Sequence, residues 1–286
     1  MRLAMTYTRL RTEERLLLDS FESIGVSIDP IDLRSVVFDP ANPGAWAEYD
    51  AVVDRSLSLT NSLTSVRILE GHGIRCVNPL RTIETCADKL LTTIALHGAG
   101  IPTPEVRVAL EEDSGLQAVE QIGYPAVLKP TVGSWGRLVA RVNDRDAAEA
   151  IIEHRTTLGS VQQGVIYVQE HINKPGRDIR AFVVGNQVVA AIARASEHWV
   201  TNTARGASAS GLTITDDLRD LGARAAQAVG ADICAVDLLE DPERGLMVNE
   251  INHSMEFRNS IDTTGVNIPG LVAQHVVNVC EGAVSC

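Results

Sequence analysis

Short apolar runs alternate with helical periodicity from the N-terminus to about residue 80. Apolar runs lie at 3–7, 26–28, 51–53 and 74–77, and helical stretches lie at 12–24, closed by Gly25, and at 63–70. This alternation predicts a small parallel sheet with flanking helices. Thr12, followed by Glu13 and Glu14, reads as a capped helix start, with carboxylates at the positive end of the helix dipole. The helical pattern of 79–97 is broken by the Gly- and Pro-rich stretch 98–104, which marks entry into a second lobe.

Farther on, an apolar strand at 126–129 ends at Pro130, a Gly-rich loop covers 131–137, and a strand resumes at 138–142, giving a hairpin. An amphipathic helix over 144–155 and an apolar strand at 165–169 complete this lobe. A third lobe opens with 179–184, turns at Gly185 and Asn186, which tolerate positive φ, and returns over 187–195. The small, polar stretch 201–211 reads as a mobile loop. A helix over 216–229 and a hairpin pairing 233–239 with 246–251 are expected to finish the core. The fold class expected is α/β with α+β lobes, divided as an N-terminal domain 1–86, a central lobe 87–175 and a C-terminal lobe 176–286.

Composition narrows the function classes. A net charge of -12 argues against broad nucleic-acid or membrane-surface binding, because both partners are themselves negative. No apolar run reaches the roughly 20 residues that span a bilayer, and the N-terminus leads into a strand, so a cytoplasmic place is expected. The cysteines Cys76, Cys86, Cys234, Cys280 and Cys286 are dispersed without metal-ligand spacing and read as reduced thiols. Only Lys89, Lys129 and Lys174 among 25 basic residues are lysine, which points to sites needing a compact ammonium. High-GC coding or a salty cytoplasm gives the same bias.

The most informative chemistry lies in Asp237, Glu250 and Asn252. With 241–245 as the turn and the register centred between Glu243 and Arg244, Asp237 faces Glu250, and Asn252 shares that face. Two carboxylates and an amide oxygen converging in this way suit a magnesium ion, whose other ligands come from phosphate and water. A solvated hairpin face explains the same residues. The loop Gly133, Ser134, Trp135, Gly136 and Arg137, following Lys129, offers backbone N–H groups and positive charge to phosphates. It lacks the Gly-Lys-Ser/Thr of a P-loop, and a tight structural turn is the plainer account.

Asp178 and Arg180 share a strand face, whereas a strict two-residue turn puts Arg194 on the other face unless a bulge intervenes. Surface salt bridging accounts equally for these arginines. Arg205 sits in a Gly/Ala/Ser stretch with no core to cover, as a phosphate-reaching lid residue would. His253 reads as a packed imidazole ahead of a general base, and Arg258 and Asn259 as groups that grip a carboxylate or amino acid.

Taken in order, Lys89, the Lys129 strand, the Gly133 loop, Gln169 and Glu170, the run from Arg177 to Arg180, Asn202 to Arg205, Asp237 and Glu250 to Asn252 resemble the ATP-grasp ligases over nearly the whole chain. The strings Lys-Pro-Thr-Val-Gly-Ser-Trp-Gly-Arg from Lys129, Lys-Pro-Gly-Arg-Asp-Ile-Arg from Lys174, His-Trp-Val-Thr-Asn-Thr-Ala-Arg-Gly from His198 and Val-Asn-Glu-Ile-Asn-His-Ser-Met-Glu-Phe-Arg-Asn from Val248 are similar to one branch. That branch attaches alpha-aminoadipate or glutamate to the LysW-like amino-group carrier protein of lysine and arginine biosynthesis, and is related to the ligases that add glutamate to a ribosomal protein tail.

The resemblance implies an ATP-grasp fold, its N-terminal parallel-sheet domain joined to two lobes clasping ATP. It implies that Lys89 and Lys129 bind ATP phosphates under the Gly133 loop, that the segment from Gln169 to Ile172 holds adenine, and that Asp178 belongs to the cofactor site. Asp237, Glu250 and Asn252 would hold Mg2+. Arg205, with Arg180 or Arg194, would meet the transferred phosphoryl group, and Asn202, His253, Ser254, Arg258 and Asn259 would lie near the substrates. The implied partners are the carrier and an amino acid, with the enzyme a dimer or tetramer.

The implied reaction passes from the carrier's C-terminal glutamate through an acyl phosphate to an amide, with magnesium and arginines stabilising the transferring phosphoryl group. Ile251, Ser254 and the pair Asn173 and Lys174 depart from the pattern, which leaves the ribose contact open. Because enzyme and carrier are both acidic, a local basic docking patch including Arg55 is expected. A glutamate ligase acting on a ribosomal tail or free peptide, and a nucleotide-binding regulator without turnover, are the alternatives.

Overall fold

Three sheets, each from a different stretch of the chain, surround one cavity in the computed structural model, which describes residues 1–133, 136–160, 164–201 and 208–282. The first is parallel, in the order β2-β1-β3-β4: β1 Leu3–Tyr7, β2 Ile28–Asp32, β3 Ala51–Asp54 and β4 Cys76–Val77. Helices α1 Thr12–Ser23 and α2 Leu59–Gly71 connect these strands, as apolar runs buried on both faces require. Thr12 is the first helical residue and not the cap. Arg11 holds the N-cap position, and the Glu14 carboxylate accepts its backbone N–H at 2.9 Å.

The expected single helix over 79–97 is two helices, α3 Leu80–Ala87 and α4 Lys89–Gly98. Asp88 breaks it: its extended backbone leaves the helix and its side chain accepts from the N–H groups of Leu90 and Leu91, capping α4. The break puts Lys89 at the start of α4, where its N–H donates to Thr131 O at 2.8 Å. A helix start thereby lies against the Gly-rich loop.

The second sheet, in the order β5-β8-β6-β7, joins β5 Val106–Ala109, β6 Ala126–Lys129, β7 Ala140–Val142 and β8 Ile166–Glu170, backed by α5 Glu112–Ile122 and α6 Arg145–Leu158. Its core is the apolar face made by Val119, Leu128, Ile152 and Ile166. The anticipated hairpin is present, with Leu128 opposite Ala140 where the ladder ends.

The third sheet runs β11-β10-β9-β12-β13, with β9 Arg177–Val184, β10 Gln187–Ala195, β11 Ser208–Gly211, β12 Ile233–Asp241 and β13 Gly245–Asn252. Residues 208–211 are therefore not loop, as 201–211 was expected to be; they form the edge strand beside β10. Helix α7 Asp216–Ala228 packs on one face through Leu218, Leu221 and Ala225. The hairpin β12–β13 does not finish the core, for α8 Arg258–Thr264 and α9 Ile268–Cys280 follow. Helix α9 carries the highly apolar run of Val272, Ala273, Val276 and Val277, which packs in one cluster with Leu3, Phe21 and Phe182. The first and third sheets thus share a core, fixing the N-terminal sheet against the strands that carry the site.

Candidate active site

Two extra residues decide which side chains face the cavity. In the hairpin β9–β10 the register slips between Val188 and Ala190, so Val189 is a β-bulge and Arg194 pairs with Asp178. Without that residue Arg194 would face away. In β12–β13 the ladder closes at Asp241 opposite Gly245, one residue off the expected symmetry, and Asn249 is the extra residue. Beyond this second bulge Asp237 lies opposite Glu250, as expected, with Asn252 on the same cavity wall.

These shifts assemble a charge network. Arg180 donates to Asp237 through Nε (2.7 Å) and Nη2 (2.8 Å), and Arg194 reaches Asp237 at 3.2 Å and Asp178 at 2.6 Å. Thr201 also donates to Asp178, and Lys174 donates to Thr201 at 2.6 Å. Burial alone would lift the Asp237 carboxyl, but Arg180 and Arg194 hold it well below the usual carboxylate range. It stays a carboxylate at any working pH. Asn252 donates from Nδ2 to Asp237 at 3.4 Å, which leaves its Oδ1 as an acceptor with no bond among the described residues.

Lys129 is bound differently. It is buried, and Nζ donates to Gln169 Oε1 at 2.8 Å and to Asn249 Oδ1 at 2.9 Å. Burial pushes its pKa down to about 8, partly offset by the negative charge of Glu250. A buried ammonium held by neutral amides has charge to spare for an anion. Gln169 also donates to Asn249 at 3.2 Å, so the glutamine expected near adenine orients the lysine. Lys89 donates to Gly133 O at 2.8 Å, tying α4 to the Gly-rich loop.

The cavity, about 490 Å3, is of the size that takes a cofactor-sized ligand. Lys89, Lys129, Gly133, Gln169, Glu170, Ile172, Asp178, Arg180, Arg194, Asp237, Glu250, Asn252, His253 and Ser254 all line it. Glu170 is turned aside: it accepts the Glu105 N–H at 2.7 Å and both Nη groups of Arg244. Arg258 and Asn259 do not line it; they are exposed at the start of α8, with Arg258 4.0 Å from Glu13. Gly136 and Arg137 also stand apart from the lining, and at Gly136, with φ of +63°, an added Cβ would meet Val200 at 3.2 Å. Ser134, Trp135, Asn202 and Arg205 lie outside the described residues.

Arg55 corrects the expectation of a docking patch. It is buried, bound to the fully buried Glu14 at 3.2 Å, and donates to Ser254 Oγ and Met255 O, so it fastens the segment after β13 instead of meeting a partner. Asn78, also missed, clamps both the N–H and C=O of Ile233 and donates to His253 O at 2.8 Å. Burial lowers the His253 imidazole, which keeps it neutral. Asn249 was missed too: the adjacent polar pair Asn249 and Glu250, set between Val248 and Ile251, was the one signal of a bulge. Trp199, packed at 6.0 Å from His171 on the cavity wall, left no such signal.

Among the described residues no three His, Cys, Asp or Glu side chains gather as a metal cage. Two carboxylates with one amide oxygen instead form the partial set with which magnesium is held alongside phosphate. Among the described residues the one cavity-lining thiol, Cys86, is pushed up to about 12 by burial and is no nucleophile at neutral pH. Among the described residues no helix is long and apolar enough to cross a membrane.

Residues 3–85 match the LysX preATP-grasp domain and residues 86–276 the RimK-like ATP-grasp domain. The chain is 33% identical to a glutamate–LysW ligase, ArgX, of Sulfurisphaera tokodaii, over 96% of this chain and 98% of the relative. It is 35% identical to an alpha-aminoadipate–LysW ligase, LysX, of Sulfolobus acidocaldarius, over 91% and 95%. The crystal structure of a RimK domain ATP-grasp protein from Sphaerobacter thermophilus superposes with a TM-score of 0.77 at 29% identity, covering 97% of this chain and all of that one. The chain belongs to the RimK-like ATP-grasp family and is an ATP-dependent carboxylate–amine ligase.

Proposed function

We propose that this enzyme joins the amino group of an acidic amino acid, glutamate or alpha-aminoadipate, to the C-terminal glutamate of a LysW-like carrier protein, using ATP and Mg2+. The observation that carries the reading is the meeting of Lys129, held only by amides, with Asp237, Glu250 and Asn252 on one cavity wall. The printed activities of the relatives supply the substrate class.

Lys129 and Lys89 bind the phosphates of ATP, and Gln169 and Asn249 keep the Lys129 ammonium aimed at them. Asp237, Glu250 and Asn252 would hold Mg2+, which when bound neutralises phosphate charge and orients the γ-phosphoryl group. The carrier carboxylate attacks that phosphorus and ADP leaves, giving an acyl phosphate. The amine of the amino acid then attacks the acyl carbon, loses a proton and expels phosphate. Arg180 and Arg194, held in place by Asp237 and Asp178, present positive charge toward the oxygens that gain it. The division into units 1–86, 87–175 and 176–286 fits this reading, the cavity drawing its lining from all three.

The test is the mass of the carrier after incubation with ATP, Mg2+ and each amino acid, alongside a hydroxylamine trap of the activated carboxylate. A hydroxamate without amino acid and an amide adduct with glutamate or aminoadipate are expected. No adduct and no hydroxamate would show that the carrier is not the substrate.

A further inference from the structure

The cations lining the cavity differ in what already binds them. Lys129 has amides, Lys89 a backbone carbonyl, Lys174 a hydroxyl with the Asp178 carboxylate 3.8 Å away, and Arg180 and Arg194 have buried carboxylates. Arg11, among the described residues, is shared between one buried and one exposed carboxylate. The fully buried Glu14 takes Arg11 Nε at 3.0 Å and Nη2 at 2.7 Å, and Glu14 is in turn fixed by Arg55. Two bonds to one carboxylate fix the plane of a guanidinium.

The remaining edge of Arg11, Nη1, donates to Glu256 Oε1 at 2.9 Å. The Glu256 side chain is 48% exposed and lies between β13 and α8, outside helix and strand. Such a half-exposed pair is weakly held. Both residues line the cavity, and so do Glu250, Asn252, His253 and Ser254. The carboxylate on Arg11 therefore sits within six residues of Glu250, at most about 20 Å of extended chain.

We propose that Arg11 is the receptor for a carboxylate of the acidic substrate, and that Glu256 is its placeholder, exchanged into water when substrate arrives. The inference rests on the ligase reading above and adds a specificity-determining residue to it. The rigid side of Arg11 supplies orientation, while Glu256 keeps the exposed edge from standing bare and lowers affinity for carboxylates that make no further contacts. Two substrates offer such a group, the free amino acid and the carrier tail, and the kinetic arms below separate them.

ADP release is measured with the carrier and the amino acid varied in turn, using L-glutamate, L-2-aminoadipate and the neutral L-glutamine as probes. Glu256→Ala, a surface change that leaves the Glu14 to Arg55 network intact, lowers the KM of one acidic substrate by about two- to fivefold, with kcat and the KM for ATP unchanged. Arg11→Gln raises that same KM by about tenfold or more, and the double variant matches Arg11→Gln. The substrate whose KM moves identifies the source of the carboxylate, and glutamine turnover stays unmoved if that source is the amino-acid side chain. KM values for both acidic substrates that Glu256→Ala leaves unchanged or raises overturn the placeholder. A wild type that releases no ADP with any probe overturns the ligase reading and this inference with it.

Discussion

Two of the three sheets around the cavity hold positive charge in opposite ways. In the C-terminal sheet, Arg180 and Arg194 are neutralised by Asp237 and Asp178, side chains within the same sheet. In the central sheet Lys129 has, among the described residues, hydrogen bonds to the amide oxygens of Gln169 and Asn249 alone, and burial has already lowered its pKa. The first arrangement has its charges balanced by side chains of the protein, so it supports the fold as well as the site. On the proposed function the second is completed by an anion, and its cost is recovered on binding.

Breaking the paired side has the largest effect. Asp237→Ala leaves two arginines without their shared carboxylate, and destabilisation of about 3–5 kcal/mol is expected in urea unfolding. Turnover should fall by roughly a thousandfold or more. Lys129→Met tests the other side: ATP affinity falls by about 2–3 kcal/mol in calorimetric titration. Unfolding of the ligand-free chain shows no loss of stability, because the substitution removes a buried charge that hydrogen-bonds to neutral amides and whose burial penalty Glu250 only partly offsets. Equal destabilisation by both variants would erase the contrast.

Acidity sharpens it further. The folded-state pKa of Lys129, about 8, lies below the ordinary lysine value of 10.5. Between these values the unfolded chain keeps a proton that the folded chain has released, so this contribution to stability rises with pH across the window. Below pH 8 the burial penalty is present in full. Nucleotide affinity runs the other way and declines as pH climbs above 8. Denaturation midpoints and ATP titrations at pH 7, 8 and 9 check both slopes, and Lys129→Met removes both. The smallest effect is expected for Asn249→Ala, which takes one acceptor from Lys129 and weakens ATP binding by about 1 kcal/mol in the same titration.

The contrast was only partly legible in the sequence. The parallel N-terminal sheet, the hairpin of β6 and β7 and the existence of the β12–β13 hairpin follow from apolar periodicity and turn chemistry, which are local. The register at the turn does not: Asp237 meets Glu250 because the bulge at Asn249 offsets a turn one residue different from the symmetrical one. Val189 is an ordinary β-branched residue, so nothing in it announced the bulge that turns Arg194 toward Asp178. The break at Asp88 lay hidden in a helical pattern, since a capping aspartate inside a run is visible only once Thr131 is known to bind there. Arg55 misled for a related reason: its partner Glu14 is distant in sequence, and a buried ion pair between remote segments has no periodic signature.

The central claim is that Asp237, Glu250 and Asn252 hold a divalent cation beside nucleotide phosphates. Its most direct test is Mn2+ binding, followed by electron paramagnetic resonance in the presence of a non-hydrolysable ATP analogue. Mn2+ should bind the enzyme–nucleotide complex more tightly than the nucleotide alone, and Glu250→Gln should weaken that binding by about tenfold or more while the nucleotide still binds through Lys129. Mn2+ affinity equal to that of free nucleotide, or unmoved by Glu250→Gln, would contradict the account.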